Sequence, residues 1–584
     1  MKFQIYTWLV GVVISVAGIP SASVNAASVF LTGGQINVNE DFTDTDTVTV
    51  SAGNNFLDSS DVMRVESLEV SGGMLASLFG GSVDTGGNSI TVSGGQLSGN
   101  ELKIADDETV TVTDGLYAAS IGETIANLNQ TGGTVDARND LTVTEAFTQT
   151  GGTTSGRDIG TGTFTQSGDG TIAAGTVLTA DSVQLQGGTI AGTLSGPGAV
   201  TVSDGTTRLT GSIDGATDLT VAGGRLEATG GGIIDTASNI VTVSDGTLEI
   251  DENAFNGALV IEGGTVTGGN VAISSVTQSG GLIAAGTTVT TLTPSTLSGG
   301  TIAGTLKSDS LQSTVAFLSA GTTTLTGTLG GNITVGENAT FDIEAGGVSN
   351  SQGQFRVYAN RGTLNNAGTI TTSGILRNEG VLRNSGTIDV GSVTNYGTLQ
   401  VDGELTTGSV RSEGGMITGS GKIDADVDLE LGATIAPGNS PGTLTIGNLS
   451  ADASSVLAFE LSGLMQGDDY DWLNVSGKVS LGQGAIFDID YFGGFEAEAG
   501  DMFDILTGGS FSFSDLTNFE FDFADTSTIG IDWSASIFDV EGGRKTVRLT
   551  ASSTVTPVPL PASGVLLLGG LVGLAALRRR KRAA

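Results

Sequence analysis

Residues 241–250 read VTVSDGTLEI, two short runs of alternating apolar and polar residues joined by the turn pair Asp245-Gly246. The same theme recurs as FLTGGQINV (30–38), ITVSGGQLS (90–98) and LVIEGGTVTG (259–268). From Gly34 to Gly300 the second turn residue recurs in fourteen intervals that cover 266 residues, a mean of 19. Alternation of this kind indicates strands with one buried face, and a near-constant repeat indicates a solenoid.

The repeat predicts an all-β fold, a parallel β-helix with rungs of about 19 residues that stack about 4.8 Å apart. Glycine is expected at the corners, where the backbone must adopt positive φ. Val, Ile and Leu then point inward, while Thr, Ser and Asp face water. A row of antiparallel hairpins is the rival, because Gly-Gly and Asp-Gly also form hairpin turns. The constant repeat length favours the coil.

Asparagines recur in the later repeats, each two residues before a glycine: Asn360, Asn366, Asn378, Asn384 and Asn395. Asparagine at equivalent turns of stacked rungs can hydrogen-bond its copies in the neighbouring rungs. We therefore predict structural ladders. A glycan-binding row of asparagines is the functional alternative.

The composition changes after residue 440, where aromatic residues gather in alternations such as IFDID (486–490) and FEFDF (519–523). Large aromatic side chains can close a core that simple stacked rungs leave open. We therefore divide the exported chain into a β-helical repeat region over 27–440 and a β-rich cap over 441–552. An aromatic platform for carbohydrate is the alternative role for these residues.

The asparagine repeats, the stretch APGNSPGTLTIGNL (436–449) and residues 470–509 together resemble autotransporter-type passenger domains. The resemblance covers roughly residues 355–510, and proteins of many activities share such repeats. It implies that the β-helix is right-handed and ends in a β-structured cap.

The N-terminus carries Lys2, an apolar run from Ile5 to Ile19 and small residues that end at Ala26-Ala27. This order is typical of a secretory signal peptide over residues 1–26, cleaved after Ala26. We therefore expect an exported protein.

The C-terminal segment 553–584 contains a short motif, an apolar stretch and a basic end. The motif consists of Val558, Pro559, Leu560, Pro561, Ala562, Ser563 and Gly564. The basic end consists of Arg578, Arg579, Arg580, Lys581 and Arg582. A transmembrane helix is expected at about 562–577, with the basic end on the cytoplasmic side. A plain membrane anchor would share these features.

The order of motif, helix and basic end resembles the PEP-CTERM class of bacterial sorting tags, in its VPLPA variant. That resemblance implies a Gram-negative host and processing by an exosortase, a membrane-embedded transpeptidase that cuts near the motif. It also implies that the protein is held at the inner membrane before processing and reaches the cell surface or the medium afterwards. Such a tag indicates where a protein is delivered and does not indicate its activity.

The chain is strongly acidic, with a formal net charge of −39. Removing Lys2 and the five basic residues at 578–582 leaves 17 of the 23 basic residues against 62 acidic ones, a net charge of −45. Such a surface repels nucleic acid. Neither cysteine nor histidine occurs. Disulfides and the usual histidine-based catalytic and metal sites are therefore excluded.

Parallel β-helices also serve as polysaccharide lyases and hydrolases, whose sites need clustered carboxylates and a few basic groups. The candidates are Arg64, Arg138 and Arg157, together with the neighbouring acids Asp136, Asp140 and Asp158. An isolated Arg beside an Asp is more often a surface ion pair. We therefore predict no enzyme and no catalytic residue, with a polysaccharide lyase or hydrolase as the alternative.

Three acidic stretches offer oxygen ligands of the kind that Ca²⁺ prefers. They are Glu40, Asp41, Asp44 and Asp46; Asp106, Asp107 and Glu108; and Asp468, Asp469 and Asp471. None has the spacing of a known calcium loop, so we predict solvated turns, no cofactor and no metal site. We expect a structural or adhesive protein of the cell envelope or extracellular matrix, with polysaccharide or further copies of itself as partners.

Overall fold

A computed structural model describes residues 29–31, 34–35, 47–57, 62–77, 80–98, 102–138, 140–196, 198–309, 314–351, 357–523, 530–554 and 562–580. Within them the chain is all-β apart from a helix at Ala562–Arg580 and a short 3₁₀ turn at Glu541–Gly543. The chain divides into two units, Met1–Gly353 and Gln354–Ala584. Together they hold about 21 turns of a parallel β-solenoid, with rungs about 19 residues apart. The predicted parallel coil is confirmed, and the hairpin rival is wrong.

In the first unit three rows of strands line the solenoid, and we call them the first, second and third sheets. The first sheet consists of Val29–Leu31, Val48–Val50, Ser67–Val70, Ser89–Ser98, Thr109–Ala118, Glu123–Gln130, Leu141–Gln149, Asp158–Ile172, Val177–Ile190, Ala199–Val202, Asp218–Val221, Ile240–Val243, Ala258–Ile261, Ser275–Gln278, Ser295–Leu297, Thr314–Leu318 and Asn332–Val335. The long strands among them bend and also continue into a neighbouring sheet.

The second sheet adds Gly34–Gln35, Asn54–Leu57, Met74–Ser77, Thr134–Ala137, Thr153–Gly156, Thr206–Leu209, Arg225–Ala228, Thr247–Ile250, Thr265–Gly268, Leu282–Ile283, Gly300–Ile302, Gly321–Leu325 and Ala339–Ile343. The third sheet adds Val62–Arg64, Ser82–Asp84, Lys103–Ile104, Thr193–Ser195, Ser212–Ala216, Ile233–Thr236, Asn270–Ile273, Thr288–Thr291, Thr305–Ser308, Thr328–Gly330 and Val348–Ser351. The first three of these form a separate three-stranded sheet.

The core follows from the period-two alternation of the strands. In the first sheet Val241 and Val243 are fully buried, while Thr242 between them is half-buried on the outer side. The next rung aligns Leu259 and Ile261 with them. Because this register repeats, each inward side chain stacks on an apolar side chain one rung away, and the stacks form the core.

Glycine is needed at the corners for two different reasons. Gly133 has φ +60°, a conformation that favours glycine because it lacks a Cβ. Gly246 is not among the residues with positive φ, but a Cβ there would lie 2.3 Å from the carbonyl oxygen of Gly224, one rung away. The expectation of positive φ therefore holds at some corners, and close approach of stacked rungs explains others.

The second unit is also a parallel solenoid. Its strands are Val357–Asn360, Thr363–Asn366, Thr369–Asn378, Val381–Asn384, Thr387–Asn395, Thr398–Val401, Glu404–Glu413, Met416–Gly419, Lys422–Glu430, Thr434–Pro437, Thr443–Ile446, Leu449–Ala451, Val456–Leu461, Trp472–Leu481, Ile486–Tyr491, Met502–Phe511, Glu520–Asp522, Ile531–Val540 and Arg544–Ser553. Parallel pairing continues through Glu520–Asp522. Among the described strands of this unit, Arg544–Ser553 pairs antiparallel with Met502–Phe511 and with Ile531–Val540.

The aromatic region is β-rich, and aromatic rings stack between its successive rungs. Phe487 aligns with Leu457 on one side and Phe521 on the other, with ring centroids of Phe487 and Phe521 4.6 Å apart and nearly parallel. Phe487 and Phe503 are fully buried, whereas Phe492 is 42% exposed. Core packing therefore accounts for some of these aromatic residues and not for all of them.

The C-terminal segment forms the helix that the sequence predicted, over Ala562–Arg580. Among the described residues, however, no helix combines the length and the apolar character needed to cross a membrane. The expected transmembrane helix at about 562–577 is therefore not supported.

Candidate functional site

The arginines considered for catalysis lie in ion pairs or on the open surface. Arg64 aligns with Asp84 on the next strand of the three-stranded sheet, 3.6 Å between Nε and Oδ2. Arg138, which is exposed, pairs with the half-buried Asp136 at 2.9 Å. Arg157 is exposed one rung further along, where its amide bonds to the carbonyl of Ala137.

The structure thus brings Arg138 and Arg157 to adjacent rungs but places Arg64 elsewhere in the coil. Asp140 and Asp158 are exposed near the same corner as Arg138 and Arg157. The close contact within this group is the ion pair between Arg138 and Asp136. The corner therefore offers charge but no assembled acid and base.

The three acidic stretches lie in different surroundings. Residues 40–46 lie outside the described part of the chain. Glu108 is fully buried and accepts hydrogen bonds from the backbone amide and the hydroxyl of Thr85. Asp471 accepts the amides of Gly442 and Glu460, both at 2.8 Å. Among the residues that the structure describes, no three acidic side chains are grouped so that they could hold a metal ion.

Two carboxyl groups are held in surroundings that disfavour their charge. Burial raises the pKa of Asp471 to about 7, although the two backbone amides act in the opposite direction. Burial likewise raises the pKa of Glu123 to about 7, partly offset by the amide of Ser120 at 2.6 Å. Beside Glu123, burial and that carboxyl raise the pKa of Tyr117. Both carboxyl groups lie in the interior, where a polymeric substrate has no access.

Asparagine side chains form hydrogen-bonded ladders inside the second unit. Asn360 donates to Asn378 at 2.7 Å, and Asn378 donates to Asn395 at 2.7 Å. In the neighbouring row Asn366 donates to Asn384, also at 2.7 Å. All five are almost completely buried. The predicted structural ladders are confirmed, and the alternative of a glycan-binding row is wrong because no ligand can reach these amides.

A glutamine ladder in the first unit was not predicted from the sequence. Gln149 donates to Gln130 at 3.0 Å, and Gln166 donates to Gln149 at 2.9 Å. The three occupy the inward position that Val112 holds one rung earlier and Leu185 one rung later. The signal was the recurring triplet of Gln, Thr or Ser, and Gly at 130–132, 149–151 and 166–168.

A column of outward-facing threonines follows the first sheet from Ser89–Ser98 to Asn332–Val335, with one residue in each of these rungs. From Thr91 to Thr334 the register aligns fourteen positions, of which ten are threonine and none is charged. One rung before Thr91 the same line of positions holds Glu69, which is charged and half-buried. We call these positions the threonine column: Thr91, Thr111, Asn129, Thr148, Thr165, Gln184, Thr201, Thr220, Thr242, Val260, Thr277, Thr296, Phe317 and Thr334. All are half-buried or exposed.

A second polar column runs beside it, two residues further along the chain in each rung. Ten of its fourteen positions are Ser or Thr, and Glu262 is its one charged residue. The Ser and Thr members, which we call the serine column, are Ser93, Thr113, Thr131, Thr150, Ser167, Ser203, Ser244, Ser279, Ser298 and Ser319. The two columns make the outer face of the first sheet a nearly uncharged array of hydroxyl groups.

The second sheet has a different surface. Arg225 pairs with Glu227 at 2.9 Å and also with Glu249, while Arg208 reaches Glu227 at 3.3 Å. These carboxylates raise the pKa of Arg225, chiefly through its hydrogen bond to Glu227. The two outer faces of the first unit therefore differ: the second sheet carries charged side chains paired across rungs, and the first sheet carries few charges.

The proposed processing sites lie mostly outside the described residues. This holds for Ala26, Ala27, Val558, Pro559, Leu560, Pro561, Lys581 and Arg582. Ala562, Ser563 and Gly564 begin the C-terminal helix, and Arg578, Arg579 and Arg580 end it. Along this helix, side chains such as Leu567 and Leu571 are exposed.

No protein-family model and no curated protein sequence matches the chain.

Proposed function

We propose that the protein is a secreted or surface-displayed structural or adhesive component of a Gram-negative cell envelope or extracellular matrix. Residues 1–26 would export it, and an exosortase-type transpeptidase would process the VPLPA tag while the C-terminal helix engages the inner membrane transiently. The coil is proposed to be right-handed, and the protein to work without a cofactor or nucleic acid.

The buried polar side chains bond to other groups of the coil, and this observation favours a passive role. The buried amides of Asn378 and Gln149 bond to their copies in adjacent rungs, and the buried carboxyl of Asp471 holds two backbone amides. Side chains of this kind stabilise stacking and are not available to a substrate. The repeating outer faces, by contrast, are suited to repeated weak contacts with a polymer or a surface.

The fold also suits a chain exported without disulfides. Each rung contributes its backbone hydrogen bonds and its apolar stack to both neighbours, so stability is distributed along the coil. Such a scaffold holds a surface in fixed register with no need for a catalytic cleft.

The alternative is a β-helical polysaccharide lyase or hydrolase, for which the charged corner with Arg138 and Arg157 is the candidate site. The purified protein should release no reducing ends or unsaturated sugars from neutral or acidic polysaccharides. Turnover that is lost in both Arg138→Ala and Arg157→Ala would establish the enzyme and overturn the passive role.

Sorting is tested in the host by fractionating cells that express Pro559→Ala/Pro561→Ala, with Pro557→Ala as the matched control just outside the motif. The double variant should accumulate unprocessed in the inner-membrane fraction, and the control should reach the surface or the medium like the parent. If all three distribute alike, the tag is not what sorts the protein.

A further inference from the structure

We propose that the threonine and serine columns of the first sheet form a docking surface for an extended, uncharged polysaccharide. The inference rests on the proposed extracellular role and adds to it the class of ligand and the face that binds it.

The hydroxyl groups of the threonine column are free to bond outward. Within the described part of the chain, none of its ten threonine hydroxyls makes a hydrogen bond to another protein group. Some members of the serine column make long bonds to the preceding rung, as Thr113 does to the carbonyl of Val92 at 3.5 Å. Twelve of the fourteen rungs thus carry at least one hydroxyl in these two columns, and a hydroxyl can both donate and accept. The rungs of Gln184 and Val260 carry none, because Gln186 and Glu262 lie beside them.

The array is regular in two directions. Rungs are spaced by about 4.8 Å, and residues two apart on one strand by about 6.6 Å. A sugar ring in an extended chain is about as long as one rung is high, so successive rings can meet successive hydroxyls. Threonine suits such a ligand because its methyl group contacts the apolar faces of the rings while its hydroxyl meets their edges.

The charge of the surface determines which polysaccharide fits. From Thr91 to Thr334 the threonine column contains no charged residue, although the whole chain carries a net charge of −39. The nearest charge in the same line is Glu69, one rung before Thr91, and Ser93 donates a hydrogen bond to it at 3.0 Å. An acidic polysaccharide would be repelled by the rest of the protein and would find no cation on this face. An uncharged polymer meets neither obstacle.

Phe317 adds a contact of a different kind. Its side chain is 45% exposed and lies between Thr296 and Thr334 in the column. An exposed aromatic ring flanked by hydroxyls gives a sugar ring a flat apolar surface and polar partners at its edges. A second copy of this chain would gain less, because its own net negative charge opposes close approach.

The test is binding of the protein purified from its host to microcrystalline cellulose, with alginate beads as the charged comparison. The face variant removes four hydroxyls without changing side-chain shape: Thr148→Val, Thr165→Val, Thr201→Val and Thr220→Val. The matched control removes four threonine hydroxyls from the second sheet: Thr153→Val, Thr171→Val, Thr247→Val and Thr265→Val. As in the face variant, the four positions form two pairs on adjacent rungs.

We expect saturable binding to cellulose, at least tenfold weaker for the face variant and within twofold of the parent for the control. Phe317→Ala should also weaken binding, and light scattering should show the same oligomeric state for every variant. The inference is overturned if the parent does not bind cellulose, if it prefers alginate, if both variants lose binding equally, or if the face only holds two copies together. Surface location and termini are measured separately, so a protein that is sorted but does not bind refutes this inference alone.

Discussion

Replacing Asn378 by alanine removes the middle member of the longer asparagine ladder. Its side-chain amide donates to Asn395 at 2.7 Å and to the carbonyl of Thr398 at 2.9 Å, and its oxygen accepts from Asn360 at 2.7 Å. Three buried hydrogen bonds are therefore lost. Each such hydrogen bond contributes a net stabilisation of about 1 kcal/mol, so the free energy of unfolding should fall by about 3 kcal/mol.

Solenoids can unfold in parts, so a single melting curve would average over the coil. The appropriate assay is hydrogen exchange of the strands Thr369–Asn378 and Thr387–Asn395, combined with urea unfolding followed by circular dichroism. Asn365→Ala is the matched control, since this asparagine faces outward, and its effect should stay within about 0.5 kcal/mol. Equal effects of the two substitutions would refute the argument that the ladder stabilises the coil.

Asn378→Asp sharpens the test because it keeps the side-chain shape but replaces the donor with an acceptor. Burial should raise the pKa of the new carboxyl, so the folded state would bind its proton more tightly than the unfolded state. Stability of this variant should therefore fall as the pH rises through the range between the two pKa values. A variant whose stability does not change with pH relative to the parent would contradict the buried, hydrogen-bonded position.

Three further predictions concern single side chains. Because burial raises the pKa of Glu123 from 4.5 to about 7, stability should fall by about 3 kcal/mol as the pH rises from about 4.5 to above 7, and Glu123→Gln should remove that slope in a pH series of urea melts. Arg225→Ala should cost less than about 1 kcal/mol, and the difference should vanish in high salt, because its pairs with Glu227 and Glu249 lie at the surface. Phe487→Ala should cost about 3–5 kcal/mol in the same melts, since the ring is fully buried; a cost near zero would contradict the stacked aromatic core.

The repeat length and the parallel coil could be predicted because both leave a periodic signal. An apolar side chain alternates with a polar one, and a glycine recurs about every 19 residues. The asparagine ladder was predictable for the same reason, since each asparagine precedes a glycine by two residues. The glutamine ladder was missed because only a few rungs carry it, at a position that is mostly valine, leucine or isoleucine elsewhere.

Other features depend on register, which the sequence leaves open. The uncharged threonine column appears only when rungs of unequal length are aligned, because Thr148 and Thr165 are 17 residues apart while Thr220 and Thr242 are 22 apart. The buried environments of Glu123 and Asp471 likewise arise from packing between rungs. The proposed sorting signals do not depend on register. Only the order of motif, apolar stretch and basic end in the sequence supports them.

The measurement that tests the central claim most directly is the determination of both termini of the protein isolated from its host, by mass spectrometry of each cell fraction. A surface or released chain that starts at Ala27 and ends near Pro561 is the result predicted for an exported, sorted structural protein. A chain that retains 578–584 in the inner membrane would contradict it and identify the tail as a plain anchor.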